Sequence, residues 1–273
     1  MKKGLLIAIV ILAISLLAAC GSEESSGSGQ GLYDDEKLVI GVTAGPHEEI
    51  LEKVTELAEE EGIEIESKVF TDYVMPNVAL AEGEIDLNIF QTEPYFNAFK
   101  EDRNLDLVKS FDTVTFPMGI YSLDVDDVSE LPEGSTIGLP SDPTNSGRAL
   151  LLFEQAGLIE LDSETGINST VRDIDKNNGN YEFVELDSAQ IARQLEELDA
   201  AAINTNFAIE AGFTPTEDSI YIEPKDSPYI NHAAVRAENE DDEIIQKLAD
   251  IYRSEEVKTF IEEEFGGSLI PSW

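Results

Sequence analysis

The chain has 273 residues, 42% of them hydrophobic and 27% charged, enough for one large globular domain or two ordinary ones. Seventeen Lys plus Arg stand against 57 Asp plus Glu. The resulting net charge of −40 leaves no basic footprint for nucleic acid and disfavours adsorption of the folded body to an anionic membrane. One Cys excludes an internal disulfide framework and any Cys-rich metal site, and two His leave little for a zinc enzyme.

Lys2 and Lys3 precede an almost unbroken apolar run from Leu5 to Leu17, followed by Ala18, Ala19 and Cys20. A secretory signal has this layout, and the run is short for a membrane span. Leu17-Ala18-Ala19-Cys20 resembles the lipobox of bacterial lipoproteins. That resemblance implies that residues 1–19 are a removable signal peptide and that Cys20 becomes a diacylated N-terminus. Two acyl chains are what make such an anchor stable. The plainer alternative is an ordinary signal peptide with a cysteine at its cleavage site. Residues 20–32, rich in Gly, Ser and Glu, read as a flexible tether, and the globular part starts near Tyr33.

The first half of the body reads βαβαβ. Lys37 to Val42 is a β-branched strand, and Glu48 to Glu60 carries Ile50, Leu51, Val54, Leu57 and Ala58 at helical spacing, closed by Gly62. Ile63 to Phe70 alternates in period two, Thr71-Asp72 caps a short helix ending at Gly83, and Ile85 to Phe90 is a third strand. Val114 to Tyr121 is extended. The pattern returns with a strand at Ser135 to Leu139, a helix from about Asn145 to Gln155 opened by Asp142-Pro143-Thr144, and an irregular stretch from Asp162 to Asn180. A strand at Tyr181 to Leu186, a helix at Ser188 to Leu198 and an apolar strand at Asp199 to Asn204 complete the second βαβαβ. Ile220 to Ala234 leads back out, and helices at Asp241 to Tyr252 and Ser254 to Glu264 are expected to pack on the first half with Leu269 to Trp273.

Two α/β lobes joined by two strand-like crossings predict a two-lobed, periplasmic-binding-protein-like clamshell of type II. The lobes are expected at 33–124 plus 223–273 and at 125–222. Ligands of open α/β sheets sit beyond the carboxyl ends of the strands. Those ends carry Tyr73, Phe90 and Tyr95 in the first half and Arg148 and Asn204 in the second, with Asn231 in the return crossing. Arg148 in or near the first turn of a helix opposes the macrodipole and calls for an anion. It is either a surface Arg paired with a carboxylate such as Glu154 or a planar fork that holds a ligand carboxylate bidentately. The three aromatics are either core packing or an apolar wall, whereas Phe96 and Phe99, spaced i, i+3, read as core. Asn204 and Asn231 suit either turn chemistry or the two charged ends of a zwitterion.

Catalytic patterns such as H-E-x-x-H, G-x-S-x-G and the P-loop are absent from the sequence, and His47 and His232 stand in no recognisable triad. Asp173 to Gly179 departs from a calcium loop, with its glycine one place late and Val184 at the closing-Glu position, and reads as a loop. The reading is a binding protein rather than an enzyme, with no cofactor and no metal.

Gly41-Val-Thr-Ala-Gly-Pro-His47, Phe70-Thr-Asp-Tyr73, Asp86 to Tyr95, Asp142-Pro-Thr-Asn-Ser-Gly-Arg148 and Asp226-Ser-Pro-Tyr-Ile-Asn231 resemble the NlpA/MetQ family of methionine-binding lipoproteins, from about Lys37 to Trp273. The resemblance implies that Arg148 pairs with an amino-acid carboxylate and that Asn204 and Asn231 bind the backbone end of the ligand. It further implies that Tyr73, Phe90 and Tyr95 enclose a thioether side chain. The family's F-Q-H-x-P-Y has a histidine where this chain has Thr92, and His232 stands where relatives usually carry an apolar residue. The implied function is capture of methionine, L or D, and delivery to the permease and ATPase of an ABC importer from the extracytoplasmic face of the membrane. Another apolar amino acid or a methionine-containing dipeptide in the same clamshell is the nearest alternative; an enzyme or adhesin that kept the fold is the remoter one.

Carboxylates in such excess repel one another, and added salt screens them. The melting temperature is therefore expected to rise when dilute buffer is replaced by molar salt in a thermal scan; an unchanged midpoint would rule out strong self-repulsion.

Overall fold

The computed structural model describes residues 37–273; the leader, Cys20 and the tether lie outside the described residues. The chain begins with β1 (Leu38–Thr43), the helix Pro46–Glu60, β2 (Ile65–Phe70), the helix Met75–Ala81, β3 (Leu87–Thr92) and the helix Glu93–Arg103. The first helix starts two residues before its apolar periodicity does. Pro46 occupies its first turn, where a missing N–H costs nothing. Asp72 Oδ1 accepts from the backbone N–H groups of Val74 and Met75 at 2.7 and 2.8 Å, which seeds the second. β4 (Leu107–Thr115) follows and begins seven residues before the extended segment read from Val114 to Tyr121.

Next come β5 (Gly119–Tyr121), β6 (Thr136–Pro140), the helix Pro143–Gln155, and β7 (Ile159–Leu161) with β8 (Ile174–Asn177). β8 lies inside the stretch expected to be irregular and pairs antiparallel with β7, which directly precedes that stretch. The polar composition of that stretch hid the pairing, in which Ile174 joins Ile159 and Leu161 on the second core. β9 (Glu182–Leu186), the helix Ser188–Gln194, β10 (Ala200–Ile203), the helices Thr205–Glu210 and Pro215–Asp218, and β11 (Ser219–Ile222) complete this half. The chain then returns through β12 (Ile230–Arg236) to the helices Glu243–Tyr252 and Glu255–Glu264 and to β13 (Ile270–Pro271).

Apart from the β7–β8 pair, the strands build two separate sheets, so the protein is two-lobed. One has the order β13-β4-β12-β3-β1-β2, the other β11-β5-β10-β6-β9. In each sheet the βαβαβ strands pair in parallel, β2-β1-β3 and β9-β6-β10, while the crossing segments add antiparallel strands. β5, which falls inside the expected 33–124 segment, pairs with β10 and β11 of the second sheet, so the outward crossing occupies residues 116–118.

Each sheet has its own core. Leu38, Ile40 and Val42 of β1 pack with Ile50, Leu51 and Val54, and the C-terminal helices close that cluster with Ile245, Leu248, Val257 and Ile261. Ile137 and Leu139 of β6 pack with Leu150 and Phe153 in the second lobe. Phe96 is buried in the first lobe as expected, and Phe99 belongs to a small cluster with Phe90 and Tyr95. No helix among the described residues is long and apolar enough to cross a membrane.

The Pro143–Gln155 helix sets the position of the second-lobe site residues, and one glycine lets it seat. A Cβ at Gly147 would stand 2.2 Å from the carbonyl oxygen of Ile167. Gly147→Ala should therefore destabilise the fold by about 1–3 kcal/mol despite the better helix propensity of Ala, read as a lower urea midpoint. An increase in stability would refute the close approach.

Candidate functional site

The two lobes enclose a cleft with about 360 Å³ of empty space, part of it open to solvent. Tyr73, Phe90, Thr92, Tyr95, Arg148, Asn204 and Asn231 all line it. Most sit at or near an element's end or beginning, because strands of one sense present their carboxyl ends to one edge of the sheet.

The first lobe supplies an aromatic wall. The Tyr73 ring lies 5.9 Å from Phe90 and 5.8 Å from Tyr95, the latter edge-on, and Phe90 meets Tyr95 at 6.3 Å, also edge-on. Tyr95 donates its hydroxyl to the backbone oxygen of Tyr73 at 2.9 Å, which locks the pair. Tyr73 also touches the second lobe. Its ring is 4.9 Å from Phe207, and its hydroxyl donates to Asn206 Oδ1 at 2.5 Å. Burial raises the Tyr73 phenol well above its usual range, with Asp142 adding to the shift, so it stays a donor. Thr92 stands at the N-cap of the Glu93–Arg103 helix but caps nothing with its side chain, and it pairs in register with Asn231.

Arg148 takes neither of its expected forms. The helix begins at Pro143 behind the Asp142 cap, which places Arg148 in its second turn rather than its first. Only 3% of the residue is exposed, and its partner is Glu223 rather than Glu154, which accepts from the backbone of Leu161 instead. Arg148 Nε donates to Glu223 Oε1 at 2.8 Å and Nη2 donates to Glu223 Oε2 at 2.6 Å. Nη2 also donates to the Phe116 carbonyl at 2.8 Å, and the guanidinium stacks 4.3 Å over Tyr229. One edge of the fork is therefore spent within the protein. Among the described residues no hydrogen bond engages Nη1, so a ligand carboxylate can meet Nη1 but not the bidentate Nε–Nη2 edge.

The remaining polar groups are placed with their bonds half made. Asn204 Nδ2 donates to Asn145 Oδ1 at 2.9 Å, and Asn231 Nδ2 donates to Val114 O at 3.1 Å. Asn204 Oδ1, Asn206 Nδ2 and His47 Nδ1 belong to residues that line this cleft, are buried and find no partner among the described residues. Leaving such groups unpaired costs about 1–3 kcal/mol each, so their clustering here marks a surface built to meet a polar solute. Together the cleft offers a buried donor, a buried acceptor, a cationic nitrogen and an apolar wall.

Sequence reasoning did not single out Glu223, Phe116, Asn145, Asn206 or His47 as site residues. Glu223 is one of 57 acidic residues and carries no local signal. Asn145 lies within the quoted Asp142-Pro-Thr-Asn motif, where its position could have flagged it. His47 stacks on Phe116 at 4.3 Å. No group of three or more His, Cys, Asp or Glu among the described residues could hold a metal ion.

The NlpA lipoprotein family profile matches residues 38–273. The D-methionine-binding lipoprotein MetQ of Salmonella typhimurium is 38% identical over 259 residues, 94% of this chain and 96% of that protein. Its Escherichia coli namesake is 37% identical over the same shares. A nutrient-binding protein from Burkholderia cenocepacia, solved bound to methionine, is 40% identical with a TM-score of 0.84 and covers 86% of this chain and 100% of its own.

Both histidines are buried and neutral. Burial pushes His47 down to about 3, and burial with Lys109 nearby pushes His232 down to about 4. His232 packs edge-on against Phe96 at 5.0 Å with neither ring nitrogen paired. Unfolded histidines titrate near pH ~6.5, so the unfolded chain takes up these protons first. Stability should be full above that pH and fall as pH drops, His232 contributing until about 4 and His47 until about 3. His232→Leu should flatten the decline between the two limits by up to about 1.4 kcal/mol per pH unit, measured as urea midpoints at stepped pH. An identical slope in the variant would contradict it.

Proposed function

The chain belongs to the NlpA lipoprotein family, and from that membership and the cleft we propose that it is the solute-binding component of an ABC importer and captures methionine. The observation that carries the proposal is the meeting, in one cleft, of an aromatic wall with buried polar atoms that have no partner in the protein. The thioether packs against Tyr73, Phe90 and Tyr95, whose faces also suit a polarisable sulfur. The carboxylate meets Arg148 Nη1 and Asn206 Nδ2; the ammonium meets Asn204 Oδ1, with Asn231 beside them. Thr92 closes the side-chain end with a hydroxyl.

Lobes based on 37–115 with 230–273 and on 119–222 close on this ligand through the crossings, because contacts from both lobes favour the closed state. Cys20, freed by removal of residues 1–19, carries the lipid that holds the protein at the extracytoplasmic face, and residues 20–32 let it reach the permease. No covalent chemistry is required of any residue.

Native purification of residues 33–273, followed by denaturation and mass spectrometry, should release methionine. Calorimetry should then show Arg148→Ala losing about 2–4 kcal/mol of affinity. A different zwitterion or a dipeptide would move the specificity to Thr92, and unchanged affinity in the variant would refute the carboxylate contact.

A further inference from the structure

The acceptor that Asn204 offers to the cleft has a cause two residues away. An amide can present either its oxygen or its nitrogen, and only its neighbours decide which. Asn204 Nδ2 donates to Asn145 Oδ1 at 2.9 Å. Asn145 Nδ2 in turn donates to Asp142, at 3.1 Å to Oδ1 and 3.0 Å to Oδ2. The same carboxylate accepts from the Asn145 backbone N–H at 2.9 Å, from Thr144 Oγ1 at 2.9 Å and, more distantly, from Ser188 Oγ at 3.4 Å. Every neighbour of Asp142 here is a donor, as an ionised carboxylate requires.

The chain of amides therefore has one sense. Asp142 can only accept, so Asn145 must turn its Nδ2 toward it and its Oδ1 away. Asn145 Oδ1 can only accept, so Asn204 must give it Nδ2. What is left is Asn204 Oδ1, buried and without a protein partner, on a residue that lines the cleft. Tyr73 imposes no comparable sense on Asn206, because a phenol can donate or accept.

We propose that Asp142 and Asn145 are positioning residues that set the polarity of the cleft: through the relay Asp142–Asn145–Asn204 they make Asn204 an acceptor for a ligand ammonium group. This rests on the amino-acid reading above and deepens it, since it assigns which end of the zwitterion faces Asn204 and why. The relay also links specificity to a helix terminus, because Asp142 is at once the N-cap of the Pro143–Gln155 helix and the origin of the amide order.

A reversal experiment tests it with the whole soluble domain and L-methionine as the probe. Asp142→Asn keeps a capping oxygen, and Asn caps as well as Asp, but it places an amide nitrogen toward Asn145. Asn145 then has reason to turn over and Asn204 to follow, so methionine affinity should fall by about tenfold or more. Asn204→Asp alone should also bind weakly, because its carboxylate would face Asn145 Oδ1, acceptor against acceptor. The double variant Asp142→Asn/Asn204→Asp moves the acceptor-only group to the other end of the relay. It lets Asn145 turn over with both bonds made, and it should recover binding to within about fivefold of the parent.

Recovery in the double variant is the signature, since two merely structural residues would give additive losses. Additive losses, or an Asp142→Asn variant that binds like the parent, would overturn the relay. Thermal midpoints of all four proteins accompany the titrations. Should Asp142→Asn fail to fold, a double variant that folds and binds still supports the relay, and one that unfolds equally overturns it. A parent protein that binds no amino acid at all would instead refute the amino-acid reading.

Discussion

One buried ion pair organises the hinge and the cleft together. Arg148 rises from the Pro143–Gln155 helix of the second lobe and holds Glu223, which follows β11 on the return crossing. The same guanidinium holds the Phe116 carbonyl on the outward crossing. Glu223 Oε2 accepts in addition from Met118 N at 2.9 Å and from Ser227 Oγ at 3.1 Å, and the backbone N–H of Glu223 donates to the Met118 carbonyl. Both crossings are thus tied at one point. Only about a twentieth of either side chain is exposed, so loss of one partner would strand the other charge away from water. The pair is better understood as a fixed fulcrum than as a source of net stability, because desolvation offsets much of its attraction.

That fulcrum changes how the cleft meets an anion. A free arginine fork would offer a full positive charge; here the charge is balanced by Glu223, and what remains is directed hydrogen bonding from Nη1. A zwitterion suits such a site better than a simple anion does, since donor and acceptor are both present and neither carries a net demand. Asn206 and Asn204 supply that matched pair on the second lobe, while the first lobe contributes apolar area with few polar atoms. The division gives each lobe one kind of surface, apolar on the first and polar on the second.

The overall charge and the cleft obey different rules. Most carboxylates lie on the surface, where water solvates them and pairs such as Lys109 with Glu93 and Asp112 contribute little. Within the site, acidic groups are few and each is committed: Asp142 to the helix cap and the amide order, Glu223 to Arg148. Next to Phe90 in the chain, Gln91 lines the cleft and joins a buried cluster with Asn77 and Asn88 that satisfies itself with four side-chain hydrogen bonds between 2.7 and 2.9 Å.

By itself, the order of residues determined the alternation of strands and helices in both halves, because period two and period 3.6 are written locally and each strand needs only its own residues to be read. It also determined the aromatic, arginine and asparagine positions at the strand ends, since topology sends those ends to one edge. The tertiary structure decided the rest. The β7–β8 pair was hidden because a polar segment can still pair when three apolar side chains find a core. The crossing at 116–118 was set by β5 pairing with β10, a contact between residues about eighty positions apart. The partner of Arg148 could not be read from the chain, because Glu223 lies 75 residues away among many equivalent carboxylates and only burial singles it out. The sense of each amide likewise follows from which neighbour can only accept, a fact of three-dimensional contact and not of sequence.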